Sequence, residues 1–151
     1  MPKFETTRRV AHPADAMFDL VADVEAYPRF LPLCQALVVR GRQQQPDGTE
    51  ILVADMTVAY KVFRETFTSR VVLDRSNRRI LVTYLDGPFR SLENRWTFRP
   101  LGERESEVGF YISYEFKSRT LGALMGAVFD QAFRRFADAF EARADEVYGM
   151  A

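Results

Sequence analysis

The apolar residues in the C-terminal part of the chain recur in steps of three and four. From about Lys117 to Tyr148 this spacing predicts one helix, roughly 45 Å long, with a continuous apolar stripe. The stripe consists of Leu121, Leu124, Met125, Val128, Phe129, Ala132, Phe133, Phe136, Ala137, Phe140, Ala144 and Val147. Because no second helix of that length is visible, a curved sheet must cover the stripe. We look for function in the space between the two.

The segments before this helix alternate between apolar and polar residues. Period-two alternation predicts half-buried antiparallel strands with one face in water. The residues that share a face are Leu52, Ala54, Met56, Val58 and Tyr60; Phe63, Phe67, Ser69 and Val71; Leu92, Asn94, Trp96 and Phe98; and Val108, Phe110, Ile112, Tyr114 and Phe116.

Shorter elements are predicted nearer the N-terminus. Residues 3–10 fit an edge strand, residues 16–21 a first helix, and residues 36–42 a further strand. Pro28 fits the first turn of a second short helix that Pro32 would end. The order strand, two short helices, six strands and a long helix predicts an α+β fold. In it, a curved antiparallel sheet of about seven strands wraps around the C-terminal helix.

Composition narrows the classes of partner. A chain of 151 residues is one domain with its own core. Lys plus Arg and Asp plus Glu both number 21, which argues against a broad nucleic-acid surface, and we expect no DNA partner. One cysteine, Cys34, allows no internal disulfide, and together with one histidine, His12, it disfavours a zinc site. We therefore expect no metal.

The N-terminal residues predict the compartment. They are polar and do not resemble a signal or transit peptide, and no segment of the sequence is apolar enough for long enough to span a membrane. We therefore expect a reducing cytoplasm.

Two polar residues share a face with apolar neighbours. Asn94 lies between Leu92 and Trp96, and Glu65 lies between Phe63 and Phe67. An inward polar group needs a partner, because leaving it bare costs roughly 1–3 kcal/mol. Either these side chains orient the polar head of a ligand, or they make an internal hydrogen bond or turn outward at a bulge.

The sequence contains no catalytic constellation. His12 has no nucleophile beside it, and no glycine-rich phosphate loop is present. The turn at residues 85–90 places Phe89 at a loop tip after Gly87 and Pro88. It is either the rim of a cavity or a hairpin connection with one apolar anchor.

Several segments resemble the coenzyme Q-binding START-domain family. They are VADVEAYPRFLP at residues 21–32, FTSRV at 67–71, LDGPFRSL at 85–92 followed by Asn94, Trp96 and Phe98, and FEARA at 140–144. They follow in order over nearly the whole chain. The family is part of the polyketide cyclase and lipid-transfer superfamily, so the resemblance implies its helix-grip fold.

The resemblance implies a function and its alternatives. The chain would bind ubiquinone or a similar polyprenyl lipid as a carrier or chaperone that supports respiration, with no other cofactor and no catalysis. Without a transit peptide it would be a bacterial member, cytoplasmic and in transient contact with the inner membrane. Bacterial members are also similar to RatA-type toxins, which block the association of ribosomal subunits, so the ribosome is an alternative partner. A third alternative is a cyclase or dehydratase, although no inward histidine or acid pair supports it.

Carried over to this sequence, the resemblance also implies site residues. Glu65 and Asn94 would contact the quinone head, and the Asn94 amide has the donor that a carbonyl or methoxy oxygen needs. Pro88 and Phe89 would form the entrance, opposite Tyr27, Phe30 and Leu31. The interior would be lined by Phe67, Leu92, Trp96, Phe110, Ile112, Val128 and Phe129.

Overall fold

The computed structural model describes residues 3–149. Strand β1 (Lys3–Val10) is followed by helix α1 (Ala14–Ala22) and a 3-10 helix (Val24–Arg29). Six strands and helix α2 complete the chain: β2 (Cys34–Gln44), β3 (Glu50–Tyr60), β4 (Phe63–Asp74), β5 (Arg79–Asp86), β6 (Phe89–Pro100), β7 (Ser106–Phe116) and α2 (Arg119–Tyr148).

The strands form one seven-stranded antiparallel sheet in the order β1-β7-β6-β5-β4-β3-β2. Consecutive strands from β2 to β7 pair as neighbours, and β1 closes the sheet against β7. The predicted α+β class, the edge strand at residues 3–10 and the helix-grip arrangement are confirmed. None of the helices within residues 3–149 combines the length and apolar character needed to cross a membrane.

Helix α2 packs its aromatic stripe against the concave face of the sheet. Ser118 caps the start of the helix, where its Oγ accepts from the backbone N–H of Leu121 at 3.1 Å, and Gly149, with φ of 86°, caps its end. The buried stripe is narrower than the sequence predicted, because Leu124 remains 71% exposed. It consists of Met125, Phe129, Ala132, Phe133, Ala137, Phe140 and Ala144.

Polar contacts fix the C-terminal half of α2. His12 is buried, and its Nε2 lies 2.7 Å from Oδ1 of Asp145. The Tyr148 hydroxyl donates to the carbonyl of Ala16 at 3.0 Å, and Arg8 pairs with Glu141 at 3.1 Å. Within residues 3–149, the polar contacts that α2 makes to other elements come from this half, so its N-terminal half is held by apolar packing.

The second short helix differs from the prediction in the place of its proline. It begins at Val24, and Pro28 lies near its end rather than in its first turn. The backbone N–H of Ala26 donates to Asp23 and that of Phe30 donates to Tyr27, on either side of Pro28. The missing N–H of the proline therefore interrupts neither bond, which allows the 3-10 helix to continue through it.

The turn between β5 and β6 packs its backbone directly on β4. Gly87 has φ of 142°, and a Cβ atom at this position would lie 2.5 Å from the Cβ atom of Phe67. Only glycine fits both the backbone conformation and the space.

We expect Gly87→Ala to lower the free energy of unfolding by about 1–3 kcal/mol, because the methyl group strains the backbone and overlaps Phe67. Urea unfolding measures the change. Gly102→Ala is the matched control, since an added methyl there has no atom within 4 Å. Equal unfolding midpoints for the two variants would show that the turn does not need this glycine.

Candidate functional site

A cavity lies between the concave face of the sheet, helix α2 and the segment after the 3-10 helix. Every strand from β2 to β7 contributes to its wall. Its lining residues are Val24, Tyr27, Leu31, Pro32, Leu33, Leu37, Ala54, Met56, Val58, Phe67, Ser69, Val71, Val82, Leu92, Asn94, Trp96, Ile112, Phe129, Phe133, Phe136 and Phe140.

The cavity is small for a lipid site. The centre of a water molecule can occupy about 80 Å³ of it. Small-molecule sites usually measure about 300–1,000 Å³. Since a cavity of about 150 Å³ holds one benzene ring, a bound ring must widen this cavity, and a long prenyl tail must leave it.

The wall carries no Asp, Glu, Lys, Arg or His among the residues described. Its polar side chains are those of Tyr27, Ser69, Asn94 and Trp96. Burial raises the pKa of Tyr27 above its ordinary value, with Cys34 and Asp23 adding to the effect, so this hydroxyl stays neutral. It donates a hydrogen bond to the carbonyl of Val21. The arrangement suits an uncharged ligand.

Asn94 lies in the wall and makes internal hydrogen bonds. Its Nδ2 donates to the carbonyl of Tyr111 at 2.9 Å, and its Oδ1 accepts from Nε1 of Trp96 at 3.0 Å. The internal hydrogen bond that the sequence left open is therefore present. These bonds fix the orientation of the Trp96 indole, which is itself part of the wall.

Ser69 is the polar residue that the sequence analysis did not assign. It lies on the inward face of β4 between Phe67 and Val71, and it is only 5% exposed. Its Oγ is buried and has no hydrogen-bond partner within residues 3–149. In the sequence, this site is indicated by a serine at an inward position of a strand whose neighbouring inward positions are apolar.

The structure brings eight of the predicted site residues together in the wall of the cavity. Their roles in binding remain predictions. The eight are Tyr27, Leu31, Phe67, Leu92, Asn94, Trp96, Ile112 and Phe129.

The prediction that Glu65 points into the cavity is wrong. Glu65 pairs with Val58, which lines the cavity, but the Glu65 side chain is exposed. It lies two residues from the start of β4, where the end of the strand lets a carboxylate stay in water. Burying that charge without a partner would be costly.

Three other predicted residues pack outside the wall. Phe110 is buried with its ring 4.7 Å from that of Trp96, behind the cavity surface. Val128 is half-buried and lies about 100° around the helix from Phe129. Phe30 is half-buried, with its ring 5.1 Å from that of Phe140.

The predicted entrance at Pro88 and Phe89 is also wrong. The pairing of β6 with β7 shifts register between Phe89 and Ser91, which leaves Arg90 as an extra residue. Such a bulge reverses the facing of the residues before it. Phe89 therefore points inward, is 0% exposed and stacks on Phe116 at 5.0 Å, while Pro88 is half-buried beside it.

The segment after the 3-10 helix contains backbone strain. Leu33 has φ of 66°, in the left-handed region that leucine rarely adopts, and its carbonyl accepts from the N–H of Ala59 at 3.0 Å. Pro32 and Leu33 line the cavity, yet both are partly exposed to solvent. Next to them, burial raises the pKa of the Cys34 thiol to about 11. No cluster of His, Cys, Asp or Glu side chains within residues 3–149 could hold a metal ion.

Comparison with curated proteins gives relatives over nearly the full length. The ribosome association toxin RatA of Escherichia coli K12 is 35% identical over 155 residues, which covers 98% of this chain and 90% of the toxin. The mitochondrial coenzyme Q-binding protein COQ10 of Dictyostelium discoideum is 28% identical over 147 residues. That alignment covers 96% of this chain and 70% of COQ10.

A solved structure and a family model show the same similarity. The 18 kDa protein CC1736 from Caulobacter crescentus superposes with a TM-score of 0.79 at 34% identity, over 99% of this chain and 100% of that one. A family model described as polyketide cyclase / dehydrase and lipid transport matches residues 10–141. The chain therefore belongs to the polyketide cyclase / dehydrase and lipid transport family.

Proposed function

We propose that this protein binds the ring of a neutral lipid, such as ubiquinone or a related quinone, in the cavity and carries it without transforming it. The observation that carries the proposal is an apolar, aromatic wall whose polar side chains are all uncharged. A buried carboxylate or phosphate there would lose its hydration without gaining a counter-charge. The coenzyme Q-binding name of the Dictyostelium discoideum relative supports the same ligand class.

The polar groups of the wall also favour carriage over catalysis. A cyclase or dehydratase moves protons and needs side chains that titrate near neutral pH. Tyr27 is the titratable wall residue, and its raised pKa and its bond to Val21 make it a poor base. Ser69 and Asn94 do not ionise near neutral pH.

The proposed portal is the segment Leu31–Leu33. A prenyl tail does not fit beside a ring in the cavity, so it must pass between elements. Leu33 supports this route, because strain at a ligand-facing residue favours a segment that changes conformation. We place the protein in the cytoplasm, in transient contact with the inner membrane when it loads or releases the lipid.

We expect purified protein to take up a short-chain ubiquinone from vesicles, and Val82→Phe to weaken this binding about tenfold or more, because the added ring occupies the cavity. Val38→Phe is the matched control, since Val38 is exposed and lies outside the wall. Extraction and mass spectrometry quantify the bound quinone. Ionised myristate should not compete. Protein that never acquires quinone, or equal binding by the two variants, would overturn the proposal.

The raised pKa of Cys34 makes its reactivity depend on pH. In the folded protein, alkylation by iodoacetamide at pH 8 should be about a hundredfold slower than in the urea-unfolded chain, because less thiolate is present. The folded rate should keep rising about tenfold per pH unit to near pH 10, whereas the unfolded rate levels off above about pH 9. Mass spectrometry follows both. A folded rate that levels off near pH 9 would contradict the burial of this thiol.

Ribosome binding is a second candidate, which the 35% identity to RatA favours. The chain is neutral overall, but four cations near one end of the sheet have no ion pair within residues 3–149. Lys61 and Arg64 belong to the β3–β4 hairpin, and Lys117 and Arg119 lie where β7 connects to α2. Unpaired cations are the groups that contact phosphate in nucleic acids.

For this candidate we expect overproduction to increase free ribosomal subunits in sucrose gradients. The double variant Lys61→Glu/Arg64→Glu should abolish the effect, because it reverses two charges that would face phosphate. Val82→Phe is the control and should retain it, because this change is confined to the cavity. An unchanged gradient with the wild-type protein would exclude ribosome association, and loss of the effect in Val82→Phe would tie it to the ligand.

A further inference from the structure

We propose that the Ser69 hydroxyl donates a hydrogen bond to a carbonyl oxygen on the bound ring. The ligand class is then a cyclic ketone such as a quinone, rather than a hydrocarbon or an ionised lipid. This inference rests on the proposed function and adds the atom by which the cavity recognises its ligand.

The first observation is the unsatisfied hydroxyl itself. Ser69 is 95% buried, lines the cavity, and has an Oγ without a hydrogen-bond partner in the described part of the chain. A buried hydroxyl that has left water without gaining a partner destabilises the fold. Alanine would fill the same place without this cost. We therefore infer that the hydroxyl forms its hydrogen bond when a ligand is bound.

The second observation is the apolar surroundings of Ser69. Along β4 its inward neighbours are Phe67 and Val71, and across the β3 ladder it faces Ala54. None of these side chains has a polar atom. Across the β5 ladder Ser69 faces Tyr84, whose hydroxyl accepts from the backbone N–H of Phe89 at 3.2 Å and makes no hydrogen bond to Ser69. The space in front of Ser69 is therefore where a partner for its hydroxyl fits.

A second donor lies on the same concave face. Val71 pairs with Val82, and Val82 pairs with Asn94, so Asn94 is two strands away from β4 and Ser69 is two residues further along. At about 4.8 Å per strand and about 3.4 Å per residue, the two Cα atoms are about 12 Å apart before curvature brings them closer. One Asn94 N–H is bonded to Tyr111, and the other has no described partner. Two donors on separate strands match two carbonyl oxygens on opposite sides of one ring.

The chain offers a matched control for this role. Ser91 also has a buried Oγ without a hydrogen-bond partner in the described residues, but it does not line the cavity. Substituting either serine by alanine removes the same group from a buried site. Only the change at Ser69 should affect a ligand.

The test compares tetramethyl-1,4-benzoquinone with 1,2,4,5-tetramethylbenzene, which has the same carbon skeleton without the oxygens. Calorimetry or competition measures the affinity of both for the wild-type protein, Ser69→Ala and Ser91→Ala. We expect Ser69→Ala to weaken quinone binding about three- to tenfold and to leave tetramethylbenzene unchanged. Ser91→Ala should change neither. In wild-type protein, the infrared carbonyl band of the bound quinone should lie at lower frequency than in Ser69→Ala.

The outcomes distinguish failure of the Ser69 hydrogen bond from failure of the proposed ring binding. Equal quinone affinity and an equal carbonyl band in wild-type protein and Ser69→Ala would overturn the inference and leave ring binding in place. Equal loss of both ligands in Ser69→Ala would show a structural role and also overturn it. If the wild-type protein binds neither ring, the proposed function itself fails. Ser69→Ala should unfold no earlier than the wild-type protein, because it removes an unsatisfied hydroxyl.

Discussion

One helix cannot fill the concave face of a seven-stranded sheet, and the rest of the structure depends on this mismatch. Helix α2 packs over the β1–β7 side, where large inward residues such as Trp96, Phe110 and Tyr114 meet its aromatic stripe. Across the sheet on β3 and β4, the inward positions include the small residues Ala54 and Ser69. The small side chains on β3 and β4 leave a space that larger side chains would fill. The cavity is therefore a consequence of side-chain volume as well as of backbone curvature.

The walls of this space differ in how firmly they are held. Phe89 contacts the rings of Phe67, Phe116 and Phe129, which closes the sheet end with tilted and stacked aromatic pairs. The C-terminal half of α2 is fixed through Asp145. The segment after the 3-10 helix instead contains the strained residue Leu33. Backbone strain lowers the free-energy cost of a conformational change. The proposed route for the ligand is therefore the segment that contains Leu33, and not the end of the sheet that the aromatic rings close.

The sequence predicted the sheet and the long helix because alternation and helical spacing report directly which face of an element is apolar. It failed where register changes. The bulge at Arg90 turned Phe89 inward, and two register shifts in β2 hid the contribution of Leu37 to the wall. Alternation placed Glu65 on the correct face but could not tell that the end of the strand is open to water. The missing partner of Ser69 depends on atoms from three strands, which no local pattern in one sequence contains.

The cavity and the basic hairpin, on which the two candidate functions depend, are in contact through one pair of rings. Phe129 lines the cavity, and its ring lies 5.9 Å from that of Phe63, at the start of β4 beside the hairpin that carries Lys61 and Arg64. Phe63 and Phe129 pack edge to face, so a shift of one ring changes the packing of the other. The cavity wall and the basic hairpin therefore share one aromatic contact, whereas Val82 lies on β5 and is not part of it.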